Sequence, residues 1–152
     1  YSGTDKVCTD LSVTPDLVIK YCNLLDCTKS PGNDQISANI LMKCAKALAV
    51  PLSLLFNKIL SSGVLPIEWR EANITSLFKN GSRLDAGNYR PVSLTSTCCK
   101  LMERMVKDHV MEHLTANDLI SKSQHGFVNK RACYSNLLES LDYVTNAGGF
   151  KC

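Results

Sequence analysis

The sequence has few aromatic residues, little net charge and no long apolar run, and each shortage excludes a class of protein. Phe, Trp and Tyr make up 7% of the 152 residues, and the formal net charge is only +3. The longest apolar stretch, 47–56, is interrupted by Pro51 and flanked by Lys46 and Lys58, so it cannot supply the roughly 20 apolar residues of a transmembrane helix. With 45% hydrophobic and 20% charged residues, the composition is that of one folded domain without a membrane span.

Sequence motifs of the common enzyme classes are also absent. No glycine-rich phosphate loop and no Gly-x-Ser-x-Gly element occurs, so dehydrogenase, nucleoside-triphosphatase and serine-hydrolase functions have no support. His109 and His113 stand one helical turn apart, but the Glu that zinc proteases place directly after the first His is missing. We interpret the pair as part of a solvated helix surface and expect no metal site.

The eight cysteines form neither a disulfide framework nor a recognisable metal site. No Cys-x-x-Cys pair occurs, and adjacent residues such as Cys98 and Cys99 seldom both reach one tetrahedral ion. Free Cys behaves in a core as a small hydrophobe, and Cys22, Cys44 and Cys133 stand at apolar positions of expected helices. We therefore predict reduced thiols.

Proline, glycine and the apolar period divide the chain into short helices. Thr14 followed by Pro15 is a typical helix start, and the turn formers of residues 28–34 follow that first helix. Pro51 is expected to break or kink the second helix, and Gly63 stands where a left-handed cap residue belongs. The predicted helices cover residues 15–27, 36–48 with a continuation over 52–60, 97–114 and 137–148.

Between these helices, two runs favour β-strand. Residues 72–78 and 89–94 are rich in strand formers, and the loop between them contains Gly81 and Gly87. Pro91 cannot donate to a strand ladder, so it marks an edge strand, and it also places Arg90 on extended backbone. The sequence therefore predicts an α+β fold that is mainly helical, with a small antiparallel β-hairpin.

Positive charge lies in the later part of the chain, and two cations flank the hairpin loop. Residues 1–35 hold three bases and five acids, whereas residues 36–152 hold fourteen bases and nine acids. Lys79 and Arg90 stand at the two inner ends of the loop, where a hairpin brings them side by side on stiff backbone. Such a pair suits a phosphate group, although hairpins also carry Lys and Arg simply to keep their edges soluble.

Three blocks give the chain a family resemblance. They are KSPGNDQIS, LPIEWREANITSLFKNGSRLDAGNYRPVSLTSTCCKLMERMV and LISKSQHGFVNKRAC. In order and spacing they resemble the reverse transcriptases of non-LTR (LINE-type, jockey-like) retrotransposons, over residues 11–145. The resemblance implies the amino-terminal fingers region of such an enzyme, with the catalytic strands of the palm missing.

By this resemblance, Lys79 and Arg90 would neutralise the triphosphate of an incoming nucleotide. Gln124, Gly126 and Phe127 match a block that lies beside the template path. The implied partners are an RNA template, a DNA primer and a deoxynucleoside triphosphate.

The remaining site residues follow from the same motifs. Lys130 and Arg131 depart from the usual family pattern and are expected to contact the template. Asn33 stands where the family often has Pro. A structural role, in turn formation and packing, is expected for Ser30, Pro31, Gly32 and Asp34 of the SPGND turn and for Tyr89 and Pro91 of NYRP.

The chain is not expected to catalyse alone. The family binds two Mg²⁺ ions through an Asp on the first palm strand and a later Tyr-x-Asp-Asp pair, and neither motif occurs. After residue 112 the acids are Asp118, Glu139 and Asp142, none of them in an apolar strand. We expect residues 1–152 to be a partial, truncated reverse-transcriptase domain with a flexible lead-in over residues 1–12.

Two alternatives remain: a domesticated fragment that binds nucleic acid or a protein partner, and a non-functional relic. The last helix would expose Leu137, Leu141 and Val144, because in the full enzyme the palm covers that face. Exposed apolar surface favours self-association. The lineage implies an intracellular location, in the cytoplasm, the nucleus or both.

Overall fold

The structure is a computed structural model that describes residues 7–121, 124–126, 128 and 132–147. The elements in chain order are α1 (Pro15–Cys22), α2 (Ala38–Lys43), α3 (Ala45–Ser62), α4 (Ile67–Arg70), β1 (Asn73–Phe78), β2 (Tyr89–Leu94), α5 (Thr97–Ala116) and α6 (Cys133–Ala147). Residues Val7–Val110 form one compact unit, and the chain from Met111 onward belongs to a second. The mainly helical α+β prediction is confirmed.

The core of the first unit lies among α1, α2, α3 and α5. Its fully buried side chains include Val18, Leu41, Phe56, Leu101 and Met105, one or two from each of these helices. Leu101 and Met105 lie four residues apart in α5, so they share one buried face of that helix.

The first helix ends earlier than the sequence indicates. It begins as expected, with the Thr14 hydroxyl accepting a hydrogen bond from Leu17 N and Pro15 in the first turn. It stops at Cys22 rather than near residue 27. The prediction was wrong because the amides of Leu24 and Leu25 donate to carbonyls three residues back, at Tyr21 and Cys22, in place of the helical bonds to residues four back. Asp26 then closes a separate turn, since its carboxylate accepts hydrogen bonds from the amide and the hydroxyl of Thr28.

The break predicted at Pro51 lies instead at Cys44, which separates α2 from α3. Cys44 has a φ of −97° and a ψ of 10°, whereas Pro51 lies inside α3. Pro51 and Ala47, whose carbonyl loses its helical donor, are both exposed, so water can satisfy that carbonyl. Cys44 is exposed as well, so its expected apolar position was wrong. The helix then ends at Gly63, whose φ of 68° confirms the left-handed cap.

The segment before α1 is attached to the helices behind it. The side-chain amide of Asn57 accepts from Val13 N at 2.9 Å and donates to Val13 O at 2.8 Å. His109 Nε2 lies 2.7 Å from Thr9 O, and His113 Nδ1 lies 3.2 Å from the side-chain amide of Asn117. Each histidine therefore has its own hydrogen-bond partner. Residues 1–6 lie outside the described part of the chain.

Candidate functional site

The predicted hairpin forms, and its register sets which side chains share a face. β1 and β2 pair antiparallel, with Leu77 opposite Arg90 and Phe78 opposite Tyr89. The Lys79 amide extends the ladder by donating to Asn88 O at 2.8 Å. Because alternate residues share a face, Lys79 and Arg90 lie on the same face as Leu77.

Both cations of this pair are open to solvent. Lys79 and Arg90 are exposed, and within the described ranges neither takes part in an ion pair. Asp85 is the one acid in residues 79–90, and its Oδ1 accepts a hydrogen bond from Gly87 N at 2.9 Å. As diagonal neighbours, the two cations stand roughly 7–8 Å apart at Cα. The tip therefore presents two uncompensated cations to the same side.

The opposite face of the hairpin braces the loop. The rings of Phe78 and Tyr89 lie 5.5 Å apart, and the Arg83 guanidinium lies 5.2 Å from the centre of the Phe78 ring. The Tyr89 hydroxyl donates to Arg83 O at 3.0 Å. These contacts hold the loop against the strands, so Tyr89 acts here through packing and one hydrogen bond. Pro91 lies opposite Ser76 in the two-stranded ladder.

A groove of about 570 Å³ lies beside the cation-bearing face. Leu77, Val92 and Leu94 line one side of it, and Leu25, Asp26, Thr28, Lys29 and Ser30 line another, with Ala38, Thr97 and Lys100. Lys29 Nζ lies 3.8 Å from Asp26 Oδ2. The groove thus combines an apolar strand surface with two further lysines. Lys29 and Lys100 were not predicted as site residues from the sequence, although Lys29 directly precedes the SPGND turn.

The SPGND turn is fastened to the junction between β2 and α5. Gly32 is buried, and a Cβ added to it would lie 2.6 Å from Ser96 N and 2.7 Å from Thr95 O. The Asp34 carboxylate accepts from the Ser96 hydroxyl at 2.6 Å and from Ile36 N at 3.1 Å. These contacts place Ser30 at the groove, while Pro31 is half-buried.

The Asn33 side chain links the SPGND turn to Glu71, which directly precedes the approach to β1. Its amide donates to Glu71 Oε2 at 3.0 Å. Within the described residues, the Asn33 side-chain oxygen is buried without a hydrogen-bond partner. This departure from the motif therefore leaves the turn in place and adds one contact.

The second motif block lies in the unit that begins at Met111. The Gln124 side-chain amide donates to Gly126 O at 3.1 Å, which closes a short turn. Gly126 is exposed, and no described atom lies within 4 Å of where its Cβ would be. Phe127, Lys130 and Arg131 lie outside the described residues. His125, for which the sequence predicted no role, contacts Ser135 and Glu139 of α6.

The buried thiols are not poised for chemistry. Burial, with Asp34 and two neighbouring thiols, raises the pKa of Cys98 to about 12. Burial and Glu103 raise the pKa of Cys99 to about 11, and burial raises the pKa of Cys22. Because the thiolate is the reactive and metal-binding form, these side chains serve as core residues.

The described residues do not form a magnesium site. Nowhere in the described ranges do three or more His, Cys, Asp or Glu side chains gather as a metal site would require. Two-metal catalysis needs several convergent carboxylates, so the donor set present does not fit the ions that the resemblance implies. Among the same residues, none of the helices has the length and apolar character needed to cross a membrane.

Comparison with known proteins identifies related sequences. No protein-family model matches the chain. The chain is 30% identical over 117 residues to the RNA-directed DNA polymerase from mobile element jockey of Drosophila melanogaster. The matched segment covers 76% of this chain and 13% of that protein. The chain is 30% identical over 112 residues to the probable RNA-directed DNA polymerase from transposon BS of the same species, covering 72% and 12%.

A third relative extends the match at lower identity. The probable RNA-directed DNA polymerase from transposon X-element of Drosophila melanogaster is 25% identical over 126 residues, covering 78% of this chain and 13% of that protein. The chain therefore spans about 13% of the length of these curated relatives.

Proposed function

The chain is related to a segment of the RNA-directed DNA polymerases of jockey and other non-LTR mobile elements, and on this premise we propose that it forms the nucleotide- and template-holding fingers of a reverse transcriptase. The observation that carries the proposal is the placement of Lys79 and Arg90 on one face of the hairpin without an acid partner among the described residues.

The paired cations suit the triphosphate of an incoming nucleotide. Lys79 supplies a compact charge, and the Arg90 guanidinium supplies a planar fork that can bind two phosphate oxygens at once. Both are held by the strand ladder, and Pro91 keeps the backbone at Arg90 extended. Little backbone freedom therefore has to be lost on binding.

The neighbouring groove suits the template strand. Leu77, Val92 and Leu94 offer an apolar surface to a base, while Lys29 and Lys100 offer cations to the sugar–phosphate backbone. By the family resemblance, Gln124, Gly126, Phe127, Lys130 and Arg131 would contact the template.

Catalysis would depend on residues that this chain does not provide. Two Mg²⁺ ions supply the charge stabilisation for nucleotidyl transfer in such enzymes. Asp118, Glu139 and Asp142 are the acids after residue 112, and the latter two lie on α6, outside any β-strand. We expect the chain to bind substrates without joining them, in the cytoplasm or the nucleus.

A second candidate function is supported by the surface of α6. Leu137, Leu141 and Val144 are 61%, 51% and 63% exposed, as the sequence analysis expected. Exposed apolar side chains at helical spacing are typical of a contact surface. A domesticated fragment could use this face to bind a protein partner or a second copy of itself.

The proposed function is tested by binding and by primer extension. We expect Lys79→Ala and Arg90→Ala each to weaken binding of a fluorescent deoxynucleoside triphosphate about tenfold, the effect of one charge-assisted hydrogen bond. Lys58→Ala, which removes an equal charge from α3, is the control and should change affinity little. Primer extension on an RNA template with Mg²⁺ should give no product.

Two results would contradict these statements. Equal affinities of Lys79→Ala, Arg90→Ala and Lys58→Ala for the nucleotide would show that the hairpin does not bind its phosphates. Templated extension of the primer by the chain alone would show that the assignment of catalysis to other residues is wrong.

A further inference from the structure

The side of β1 that faces away from β2 is an open strand edge. All six residues of β1, from Asn73 to Phe78, are exposed. Within the described ranges, β1 pairs with β2 alone in a two-stranded sheet. An open edge presents unpaired N–H and C=O groups, to which another strand can add.

The register shows which backbone groups of β1 point away from β2. Lys79 N donates to Asn88 O at 2.8 Å, so these two residues form a hydrogen-bonded pair, and such pairs alternate with non-bonded pairs along an antiparallel ladder. Ile74, Ser76 and Phe78 therefore stand at non-bonded positions, and their N–H and C=O groups point outward. Among the described residues, these outward groups have no hydrogen-bond partner.

The opposite edge of the sheet is interrupted by proline. The outward positions of β2 include Pro91 and Ser93, which lie opposite Ser76 and Ile74. Pro91 has no N–H, so the middle of that edge lacks a donor. Proline and charged side chains are the usual protection of an exposed edge, and β1 contains neither. Of the two strands, β1 is therefore the one that can accept a further strand.

The sequence of β1 is complementary to itself in antiparallel register. If two copies pair about Ser76, Ile74 of each copy lies opposite Phe78 of the other. A β-branched residue opposite an aromatic one is a favourable cross-strand pair, and Ile74 and Phe78 are 66% and 40% exposed in the single chain. The three outward N–H groups of each copy then face carbonyl groups of the other copy, which gives six hydrogen bonds.

The charges next to β1 also match in this register. Lys79 of one copy would lie opposite Asn73 of the other and diagonal to its Glu71, which is exposed and has extended backbone with a φ of −100° and a ψ of 151°. Diagonal neighbours stand about 7–8 Å apart, within reach of long side chains. The symmetry forms this Lys–Glu pair twice, and over residues 71–81 no two like charges lie opposite each other. A second copy of the chain is therefore the occupant that this edge fits.

We propose that two copies of this chain associate through β1, in an antiparallel pair centred on Ser76 that joins their hairpins into one four-stranded sheet. Residues opposite each other share a face of a sheet, so the cation-bearing faces of both hairpins lie on the same side. The paired segment is short, so the dimer dissociates on dilution. Strand pairing uses no phosphate contact, and the inference therefore does not depend on the proposed nucleotide binding.

The first test is sedimentation of the full chain over a dilution series, in which wild type should show a reversible equilibrium between monomer and dimer. Ser76→Pro removes two of the six hydrogen bonds but none of the ladder to β2, because Ser76 stands at a non-bonded position. It should weaken the dimer about tenfold or more. Ser93→Pro makes the same change on the outer edge of β2 and should keep the wild-type affinity. A monomeric wild type, growth into larger oligomers, or equal weakening by both variants would overturn the proposal.

The second test checks the register without introducing proline. The two copies of residue 76 lie directly opposite each other in the proposed dimer, so Ser76→Lys and Ser76→Glu should each oppose self-association through like charges. A mixture of these two variants should associate again, because opposite charges then meet. Ser93→Lys adds the same charge to the other edge and should dimerise as wild type does. A mixture that associates no better than each variant alone would overturn the proposal.

Amide hydrogen exchange locates the interface in the wild-type chain. The amides of Ile74, Ser76 and Phe78 should exchange more slowly in concentrated than in dilute samples, because the dimer gives them acceptors. The amides of Thr75 and Leu77, which already face β2, should change less. If a dimer forms while the three outward amides exchange at an unchanged rate, another surface, such as the exposed apolar face of α6, forms the contact and the proposal is wrong.

Discussion

Replacing Gly32 by Ala should destabilise the unit that carries the hairpin. The added Cβ would lie 2.6 Å from Ser96 N and from Thr95 C, and 2.7 Å from Thr95 O. These are backbone atoms, so no flexible side chain can move away. Contacts below 3.0 Å require a shift of the turn or of the strand end. Forcing extra volume into a packed site costs about 1–3 kcal/mol, which is the loss of unfolding free energy we expect.

The chain supplies both the probe and the controls for this experiment. Trp69 is the single tryptophan, and its ring lies 6.0 Å from that of the core residue Phe56, so its fluorescence reports on this unit during urea unfolding. Gly63→Ala should lose about 1 kcal/mol through its φ of 68° alone, because no atom of the described residues lies within 4 Å of its Cβ position. Gly87→Ala meets only a side chain and should stay within about 0.5 kcal/mol of wild type.

The outcome also bears on the candidate site. If the SPGND turn moves, Lys29 and Ser30 move with it, and RNA affinity should fall more in Gly32→Ala than in Gly63→Ala. A Gly32→Ala variant as stable as Gly87→Ala would refute the close approach between the turn and the β2–α5 junction.

Two further predictions concern buried groups of the same unit. Ser96→Ala removes the hydroxyl that donates to Asp34 and should lower the unfolding free energy measured in urea by about 1–3 kcal/mol. Ser93→Ala, at an exposed position of β2, should lower it little, and equal losses would contradict the hydrogen bond. Burial raises the pKa of Cys98 from 9.0 to about 12, so the folded state keeps the thiol proton up to a higher pH than the unfolded chain does. The unfolding free energy should therefore fall as pH rises from 9.0 towards about 12, and an unchanged pH dependence in Cys98→Ala would contradict this.

Much of the fold could be predicted from the sequence because its signals are local. Thr14, Pro15 and Gly63 set helix ends through their own backbone preferences, and the two strand runs around a glycine-containing loop indicate a hairpin. The errors at Asp26 and Pro51 arose where a local preference met a competing contact or an exposed helix side. Neither circumstance can be recognised from residue types alone.

Some features of the candidate site could likewise be predicted from local sequence signals, and others could not. Lys79 and Arg90 could be paired from the sequence, since a hairpin fixes the distance between its strands whatever surrounds it. The sequence could not show the contact of Gly32 with residues 95–96, nor that Asp34 and Ser96, 62 residues apart, share a hydrogen bond.

The sequence by itself therefore determined the element types, the paired cations and the family resemblance, all of which depend on neighbouring residues. Only the tertiary structure decided which side chains line the groove and that both nitrogens of His125 have partners on α6. Such contacts depend on how separate segments pack, and packing is set by the shape of the whole unit rather than by the preferences of single residues.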